Sequence, residues 1–254
     1  MGGSIAAGAV RAGLVNAADM TVADPGSALA DRLKSEGIEI RHTTDNRAAV
    51  AGADMILVAV KPWLMEQVLG EISDVIDRKS QSVVSIAAGV SFEQLGSHLR
   101  TDRFGAVGLY RVIPNTAISL GKSVTFIASH GSSAQQDSNV MELFKALGDV
   151  FVIGEKDITA VTALSSSGIA YALRYLDAAS AGGEQMGIPR DEALKIVIAT
   201  MKGAIALLEA NDTDPQTEID KVTTPGGITL KGLEAMEKSG FSQSVADGLF
   251  ATKC

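Results

Sequence analysis

The chain has very little cysteine and no long apolar run. Its 254 residues include one cysteine, Cys254, so no disulfide can form within the chain. With no secretory signal pattern either, a reducing cytoplasm is the compartment that we expect. The longest apolar run, Met55 to Val60, is far shorter than the roughly 18 residues that a membrane span requires. We therefore interpret this run as a buried strand.

Metal ligands and positive charge are also scarce. The three histidines, His42, His98 and His130, stand far apart in the sequence, and no metal-ligand spacing occurs, so we expect no metal site. The formal net charge of −8 disfavours nucleic acid and anionic membrane surfaces as partners. With 46% hydrophobic residues, the chain has enough apolar side chains for one or two cores.

The first part of the chain alternates short apolar runs with helical patterns. This alternation is typical of an α/β domain with a parallel sheet and crossover helices. Helices are predicted from Ser4 to Ala12, from near Ser27 to Gly37, from Pro62, and from Ser91, where Gln94 completes a capping box. Strands are predicted over residues 20–23, 38–41, 55–60, 82–86, 106–112, 124–128 and 150–153.

After Gly154 the pattern becomes entirely helical. The sequence therefore predicts two domains, residues 1–153 and 154–254. Several helices of the second domain are apolar on more than one face, so we expect a partner subunit to cover them. A tight monomeric bundle is the alternative. The predicted helices span residues 157–165, 168–186, 191–210, 230–238 and 242–252.

A turn rich in glycine and threonine precedes one of these helices. Thr223 and Thr224 are followed by Pro225, Gly226, Gly227, Ile228 and Thr229. The glycines permit positive φ angles and close approach of a ligand, and the backbone amides at a helix start attract anions. The segment therefore predicts a carboxylate site, with a plain turn between two helices as the alternative.

Four segments together resemble one enzyme family. They are VTTPGGITLKGLEAME from Val222, ILVAVKP from Ile56, VSIAAGVS from Val84 and RVIPNT from Arg111. In this order they resemble pyrroline-5-carboxylate reductase, which reduces a cyclic imino acid to proline with a nicotinamide cofactor. The resemblance implies a Rossmann-like dinucleotide-binding domain followed by an all-α dimerisation domain. It also implies a homodimer or higher oligomer, with the site completed across the dimer.

The resemblance also implies which residues bind NAD(P)H. Those around Lys61 and Gly89 follow predicted strands, at the edge where open α/β sheets bind ligands. Asn46 falls where relatives carry an asparagine, and Met1 and Gly2 match the end of the family's cofactor loop. The family's Met-Pro-Asn turn, which borders the nicotinamide, corresponds to Pro114 and Asn115. For Lys61 an ordinary surface lysine is the alternative. The implied cofactor residues are Met1, Gly2, Asn46, Val60, Lys61, Pro62, Ala87, Ala88 and Gly89.

The cofactor loop is incomplete at the start of this sequence. Met1 and Gly2 match only the last two positions of the family's G-x-G-N-M-G loop, and no strand precedes them. Loss of that strand would leave two neighbouring strands unpaired. We therefore favour a fragment or a mis-started reading frame over a protein that has lost the centre of its sheet.

Asp24 bears on the choice of cofactor. It follows Gly2 by about 20 residues, the distance at which an acidic side chain binds the ribose 2′-hydroxyl and repels a 2′-phosphate. The position therefore favours NADH over NADPH, although many relatives carry a polar or basic segment here. Asp24 also precedes Pro25 and Gly26, so a turn with a solvated carboxylate is the alternative.

For the substrate, the resemblance places the hydroxyl of Thr229 opposite the ring nitrogen as the catalytic group. Thr224 and the backbone amides of Gly226, Gly227 and Ile228 would receive the carboxylate. A simple capping role is the alternative for Thr229. Asp212 lies where some relatives carry an acidic residue, with helix-end chemistry as its alternative.

The segment from Ser166 to Tyr171 departs from the family's Gly-Ser-Gly-Pro-Ala-Tyr. Ser166 replaces its first glycine and Ile169 replaces its proline. We expect these changes to affect the start of the long helix more than the reaction. We expect Tyr171 to be a core residue rather than a catalyst, although the resemblance places it near the cleft between the domains.

Two alternative functions remain open. One is another imine or hydroxyacid oxidoreductase of similar build. Such enzymes usually carry a catalytic lysine on the long helix, whereas residues 168–183 contain Arg174 and no lysine. The other is a truncated relative that dimerises without binding a cofactor.

Overall fold

The protein is described by a computed structural model that covers residues 1–252, and the single cysteine, Cys254, lies outside them. Its contacts define two compact units, an N-terminal unit of residues 1–166 and a helical unit of residues 167–252. Residues 154–166 pack within the N-terminal unit, whereas the sequence assigns them to the second domain. The functional boundary after residue 153 stays a prediction.

The N-terminal unit has α/β architecture, which confirms the predicted fold class. Its strands are β1 (Thr21–Ala23), β2 (Arg41–Thr43), β3 (Met55–Val58), β4 (Ser82–Ser85), β5 (Gly108–Ile113), β6 (Ser123–His130) and β7 (Gly148–Val152). Its helices are α1 (Gly2–Arg11), α2 (Ala28–Ser35), α3 (Asn46–Val50), α4 (Met65–Ile72), α5 (Phe92–His98), α6 (Thr101–Phe104), α7 (Ala134–Lys145) and α8 (Ile158–Val161).

The sheet of this unit is in two pieces. β1 pairs in parallel with β2, and the other five strands form a second sheet in the order β3-β4-β5-β6-β7. The described chain opens directly with α1, and no strand joins β1 to β3. The break falls where the sequence analysis placed the missing strand. β1 and β3 each have one paired edge as a result.

Two details of the predicted sheet are wrong. The second strand spans Arg41–Thr43, not residues 38–41, because Ile38 is instead buried against α1 and α2. β6 runs antiparallel to β5, whereas the sequence suggested a wholly parallel sheet. The connection between them is a short 3₁₀-helix, Thr116–Leu120, and parallel neighbours need a longer crossover.

Helices cover both faces of the five-stranded sheet. On one face Met65 and Leu69 of α4, Leu95 of α5 and the C-cap of α5, Leu99, are fully buried. On the other face α1 and α7 pack over the sheet, and Ile5 lies in one cluster with Tyr110 and Phe144.

The predicted capping box of α5 is confirmed, with Ser91 and Gln94 each accepting a backbone N–H of the other. β3, β4 and β5 are parallel, so their carboxyl ends meet at one edge, here called the carboxyl edge.

The helical unit consists of α9 (Gly168–Gln185), α10 (Arg190–Asn211), α11 (Pro215–Val222), α12 (Ile228–Lys238) and α13 (Phe241–Ala251). α11 is absent from the sequence prediction, although Asp214 caps it and Pro215 begins it. Within residues 167–252 only Ser180 and Ala193 are buried. The unit therefore has almost no core of its own. None of the helices among residues 1–252 combines the length and the apolar character that crossing a bilayer requires.

Candidate active site

The N-terminus of α1 lies beside the end of β3. Met1 is the N-cap of α1, and Gly2 is its first residue. A Cβ atom on Gly2 would lie 2.7 Å from the Cβ of Ala59, so only glycine fits this contact without movement. The first amides of a helix have no partner within the helix and attract phosphate. This helix end thus brings unpaired backbone amides to the carboxyl edge, and its role in holding a pyrophosphate stays a prediction.

The turns after β3 and β4 lie at the same edge. Val60 is half-buried against the core, whereas Lys61 and Pro62 are exposed, with Lys61 at the N-cap of a 3₁₀-turn. After β4, Ala87 is buried, Ala88 is exposed, and Gly89 has φ +76°. Backbone groups of both turns are therefore available at the edge where a cofactor is expected.

Asp24 follows β1, and a turn bond engages one of its oxygens. The backbone N–H of Gly26 donates to Asp24 Oδ1 at 2.9 Å, and the backbone oxygen of Asp24 lies 3.1 Å from His42 Nε2. Oδ1 of Asp24 therefore takes part in a turn, as the alternative to a cofactor role predicts. Oδ2 is the oxygen that a ribose hydroxyl would use.

Asn46 lies at the start of α3, after β2. Its Nδ2 donates to Glu71 Oε2 of α4 at 2.7 Å, and this bond, together with one from Gln67, lowers the pKa of Glu71. The amide side chain is thus held in one orientation. The cofactor role of Asn46 stays a prediction.

An ion pair that the sequence analysis missed joins three segments of the N-terminal unit. Glu155 Oε1 accepts from Arg111 Nη1 of β5 and from the backbone N–H of Phe92 at the start of α5, each at 2.7 Å. The Arg111 side chain is 9% exposed and that of Glu155 is 38% exposed. Arg111 Nε is the only buried side-chain nitrogen or oxygen of residues 1–252 without a hydrogen-bond partner. An arginine in an otherwise apolar strand is the signal that was overlooked.

The predicted carboxylate segment of the helical unit forms a tight turn. The N–H of Gly227 donates to the carbonyl of Thr224 at 2.8 Å, and Gly226 has φ +75°. With Pro225 second and Gly226 third, the four residues fit a type II β-turn, which requires a positive φ at its third position. A Cβ on Gly227 would lie 2.6 Å from Thr224 Oγ1. Both glycines are therefore needed for this backbone path.

This turn opens directly into α12. The helix begins at Ile228, two residues before the predicted Leu230, and its first helical bond runs from Lys231 N to Gly227 O. Gly227 is the N-cap, without a side-chain cap, so the capping role proposed as an alternative for Thr229 is wrong. Thr224, Gly226, Ile228 and Thr229 are exposed and Gly227 is half-buried. The structure thus presents two hydroxyls and the unpaired amides of a helix N-terminus together.

A polar cluster supports the chain ahead of this turn. Glu218 of α11 accepts from Lys221 Nζ at 2.7 Å, from Asn211 Nδ2 at 3.1 Å and from the hydroxyl of Thr213. Lys221, then Thr213 and Asn211, lower the pKa of Glu218 to about 2. Asp212 is the C-cap of α10 with φ 49°, a left-handed conformation that aspartate tolerates better than most residues. This placement agrees with the helix-end alternative for Asp212.

The three histidines belong to no cluster of potential ligands. Across residues 1–252, no group of three or more His, Cys, Asp or Glu side chains is arranged to hold a metal ion. His42 contacts the backbone of Asp24, and the ring of His130 lies 5.6 Å from that of Phe92. The candidate binding groups are therefore the polar groups at the carboxyl edge and those at the start of α12.

Comparisons with known protein families match both parts of the chain. Residues 155–253 match the model described as pyrroline-5-carboxylate reductase dimerisation. Residues 1–89 match the model described as NADP oxidoreductase, coenzyme F420-dependent. The first match indicates self-association and the second a nicotinamide cofactor.

Individual relatives carry the same name. The chain is 31% identical to pyrroline-5-carboxylate reductase of Glycine max, over 99% of this chain and 89% of that protein. It is 34% identical to pyrroline-5-carboxylate reductase 1 of Dictyostelium discoideum over 98% of this chain, but spans only 46% of that protein's length. Among solved structures, pyrroline carboxylate reductase of Plasmodium falciparum with NADP bound has a TM-score of 0.88. That structure is 24% identical, and the match covers 99% of this chain and 91% of the other.

Proposed function

Because the chain belongs to the pyrroline-5-carboxylate reductase family, we propose that it reduces 1-pyrroline-5-carboxylate to L-proline, the last step of proline synthesis. A hydride adds to the imine carbon and a proton ends on the ring nitrogen, while NAD(P)H becomes NAD(P)⁺. The observation that carries the proposal is the type II turn from Thr224 to Gly227 that opens into α12. It forms a carboxylate site beside a hydroxyl at Thr229.

The residues of this turn have distinct roles in the proposal. The backbone amides of Gly226 and Ile228 and the hydroxyl of Thr224 bind the substrate carboxylate, assisted by the positive end of the α12 dipole. The amide of Gly227, which the resemblance also assigns to the carboxylate, instead closes the turn by donating to Thr224 O. The hydroxyl of Thr229 hydrogen-bonds the ring nitrogen and holds it in a fixed orientation. No strong general acid is required, since a protonated iminium is already electrophilic.

The cofactor residues proposed are those at the carboxyl edge. The fit rests on the close approach of Gly2 to Ala59, which brings unpaired helix amides to this edge, and on the exposed turns after β3 and β4. The α1 N-terminus would hold the pyrophosphate, whereas Asn46, Val60 to Pro62 and Ala87 to Gly89 would contact the rest of the cofactor. When bound, the reduced nicotinamide supplies the hydride.

We infer a preference for NADH from Asp24. Among residues 1–252, Oδ2 of Asp24 accepts no hydrogen bond, while Oδ1 holds the turn through Gly26 N. A carboxylate at the end of this strand hydrogen-bonds the ribose 2′-hydroxyl and repels a 2′-phosphate. The relative of Plasmodium falciparum was solved with NADP, so this preference would distinguish the chain from that protein.

Self-association as a homodimer, in the cytoplasm, completes the proposal. The match to a dimerisation domain agrees with a helical unit in which Ile205 is 52% exposed and Leu173 is 58% exposed. A second copy would cover such side chains, because soluble proteins rarely leave large apolar patches in water. The cytoplasmic assignment rests on the lack of a cysteine pair.

One assay tests the enzymatic proposal against the cofactor-free alternative. Oxidation of NADH and of NADPH is followed at matched concentrations with pyrroline-5-carboxylate. We expect turnover with both, faster with NADH. Absence of turnover with either cofactor would reject the reductase assignment, and a dimer that also fails to bind either nucleotide would identify the cofactor-free relative. A faster rate with NADPH would reject the role of Asp24 alone.

A further inference from the structure

The turn after β5 is held by a buried amide side chain. Asn115 is 5% exposed and follows β5, the middle strand of the five-stranded sheet. Its Oδ1 accepts from the backbone N–H of Ala117 at 3.1 Å, and its Nδ2 donates to Ser165 Oγ at 3.2 Å. Its own backbone N–H donates to Ser123 Oγ at 3.1 Å. The turn is thus fixed at the carboxyl edge from both sides.

Asparagine matches the hydrogen bonds found at this position. The site requires an acceptor for Ala117 N and a donor for Ser165 Oγ on one short side chain, and asparagine supplies both. The N–H of Ala117 must meet an oxygen, so the hydrogen-bond network itself fixes the orientation of the amide. A fully satisfied polar network in a buried place holds its members rigidly.

The partner serine belongs to a π-helix. Thr162–Ser167 forms six residues of π-helix, a rare form that often marks functional positions. Ser165 reaches Asn115, and Ser166 Oγ donates to the carbonyl of Pro114 at 3.2 Å. Two consecutive residues of the π-helix therefore hold two consecutive residues of the turn. Ser166 stands where the resembled family has glycine, which has no side chain and could not make this second bond.

We propose that Asn115 is a positioning residue for hydride transfer, with Ser165 as the residue that holds it. The inference rests on the proposed function, since the resemblance places this turn next to the nicotinamide. The pair fixes the backbone of Pro114 and Asn115 at the edge where the turns after β3 and β4 also end. A misplacement of about 1 Å at such a position lowers the rate by roughly 100-fold.

Three variants and one control test this role. Asn115→Ala removes the amide, Ser165→Ala removes only its partner, and the double variant removes both. The matched control is Thr162→Val in the same π-helix, because among residues 1–252 the hydroxyl of Thr162 bonds only to Ile158 O of the preceding helix α8. Thermal unfolding of all four proteins, compared with the wild type, shows that each is folded.

The kinetic readout separates positioning from general stability. We expect Ser165→Ala and Asn115→Ala to lower kcat by about 10-fold or more and to raise the primary isotope effect with 4-deuterated NADH. The KM for the imino acid should stay within roughly twofold of the wild type, because neither residue is proposed to bind the substrate. The double variant should be no slower than Asn115→Ala, since the two residues act as one unit.

The outcomes distinguish failure of the positioning role from failure of the proposed reductase function. An active wild type with an unchanged Ser165→Ala rate rejects the positioning role alone, as does a control that loses kcat equally. Additive losses in the double variant also reject it. A wild type without turnover with either cofactor rejects the proposed function, and the positioning role fails with it.

Discussion

Arg111 Nη1 and Glu155 Oε1 lie 2.7 Å apart, and the two side chains differ in exposure. The guanidinium is almost completely buried in β5, whereas the carboxylate retains contact with solvent. The same carboxylate oxygen accepts the N–H of Phe92 at the start of α5. This pair therefore ties β5, α5 and the segment after β7 together within the N-terminal unit.

We predict that the two halves of this pair are unequally sensitive to mutation. Glu155→Ala leaves Arg111 buried without its counter-charge, so it should lower the free energy of unfolding by about 1–3 kcal/mol. Arg111→Met removes the buried charge, and Glu155 can then be solvated, so the loss should be smaller. Urea denaturation measures both. The control is Asp74→Ala, which breaks an exposed pair with Arg47 and should cost about 0–1 kcal/mol. A larger loss for Arg111→Met than for Glu155→Ala would contradict the prediction.

A second prediction concerns Gly226. Its φ of +75° costs a residue with a side chain about 1–2 kcal/mol, so Gly226→Ala should distort the turn before α12. We expect a raised KM for pyrroline-5-carboxylate in steady-state kinetics. Gly70→Ala is the control, because Gly70 lies within α4 and an added Cβ meets no atom within 4 Å. An unchanged KM in Gly226→Ala would remove the turn from substrate binding.

Thr229 provides a third prediction. Thr229→Val keeps the shape of the side chain and removes the hydroxyl, so kcat should fall by roughly 10- to 100-fold. Thr229→Ser keeps the hydroxyl and should retain most of the activity. Sedimentation velocity should show the same oligomer for both variants and the wild type. If Thr229→Val turns over at nearly the wild-type rate, the hydroxyl has no part in the mechanism.

The fourth prediction concerns acid stability. The pKa of Glu218 is lowered to about 2, chiefly by Lys221, so its bonds stabilise the helical unit most above the ordinary carboxyl range. That contribution is lost as the pH falls from about 4.5 to 2. The difference in unfolding free energy between the wild type and Glu218→Gln should therefore be constant near neutral pH and shrink in acid. Denaturation curves between pH 7 and 2 measure it, and a difference that grows in acid would contradict it.

The fifth prediction concerns self-association. The helical unit buries only Ser180 and Ala193 among residues 167–252, so its stability should depend on a second copy. The melting temperature should rise with protein concentration, as mass action requires. Differential scanning fluorimetry over a hundredfold range of concentration, about 0.1 to 10 µM, is the measurement. A melting temperature independent of concentration, together with a monomer in sedimentation, would favour the alternative of a monomeric bundle.

Local features of the sequence predicted much of the structure. The alternating pattern yields six of the seven strands near their observed positions, and Ser91 with Gln94 yields a cap that the structure confirms. The turn at Pro225 to Gly227 was also readable, because proline and glycine restrict the backbone of their own residues. Helix ends and tight turns depend on neighbours in sequence. A single chain therefore suffices to predict them.

Contacts between residues far apart in the sequence could not be predicted from local patterns. Arg111 and Glu155 are 44 residues apart and Asn115 and Ser165 are 50 residues apart, so no local pattern links them. The antiparallel direction of β6 and the break between β1 and β3 likewise depend on which strands pair. The sequence by itself determined most of the strands and helices and the glycine turn that precedes α12. Only the tertiary structure decided which buried polar groups form hydrogen bonds with each other. A buried polar group needs a partner, but the sequence does not show which distant residue supplies it.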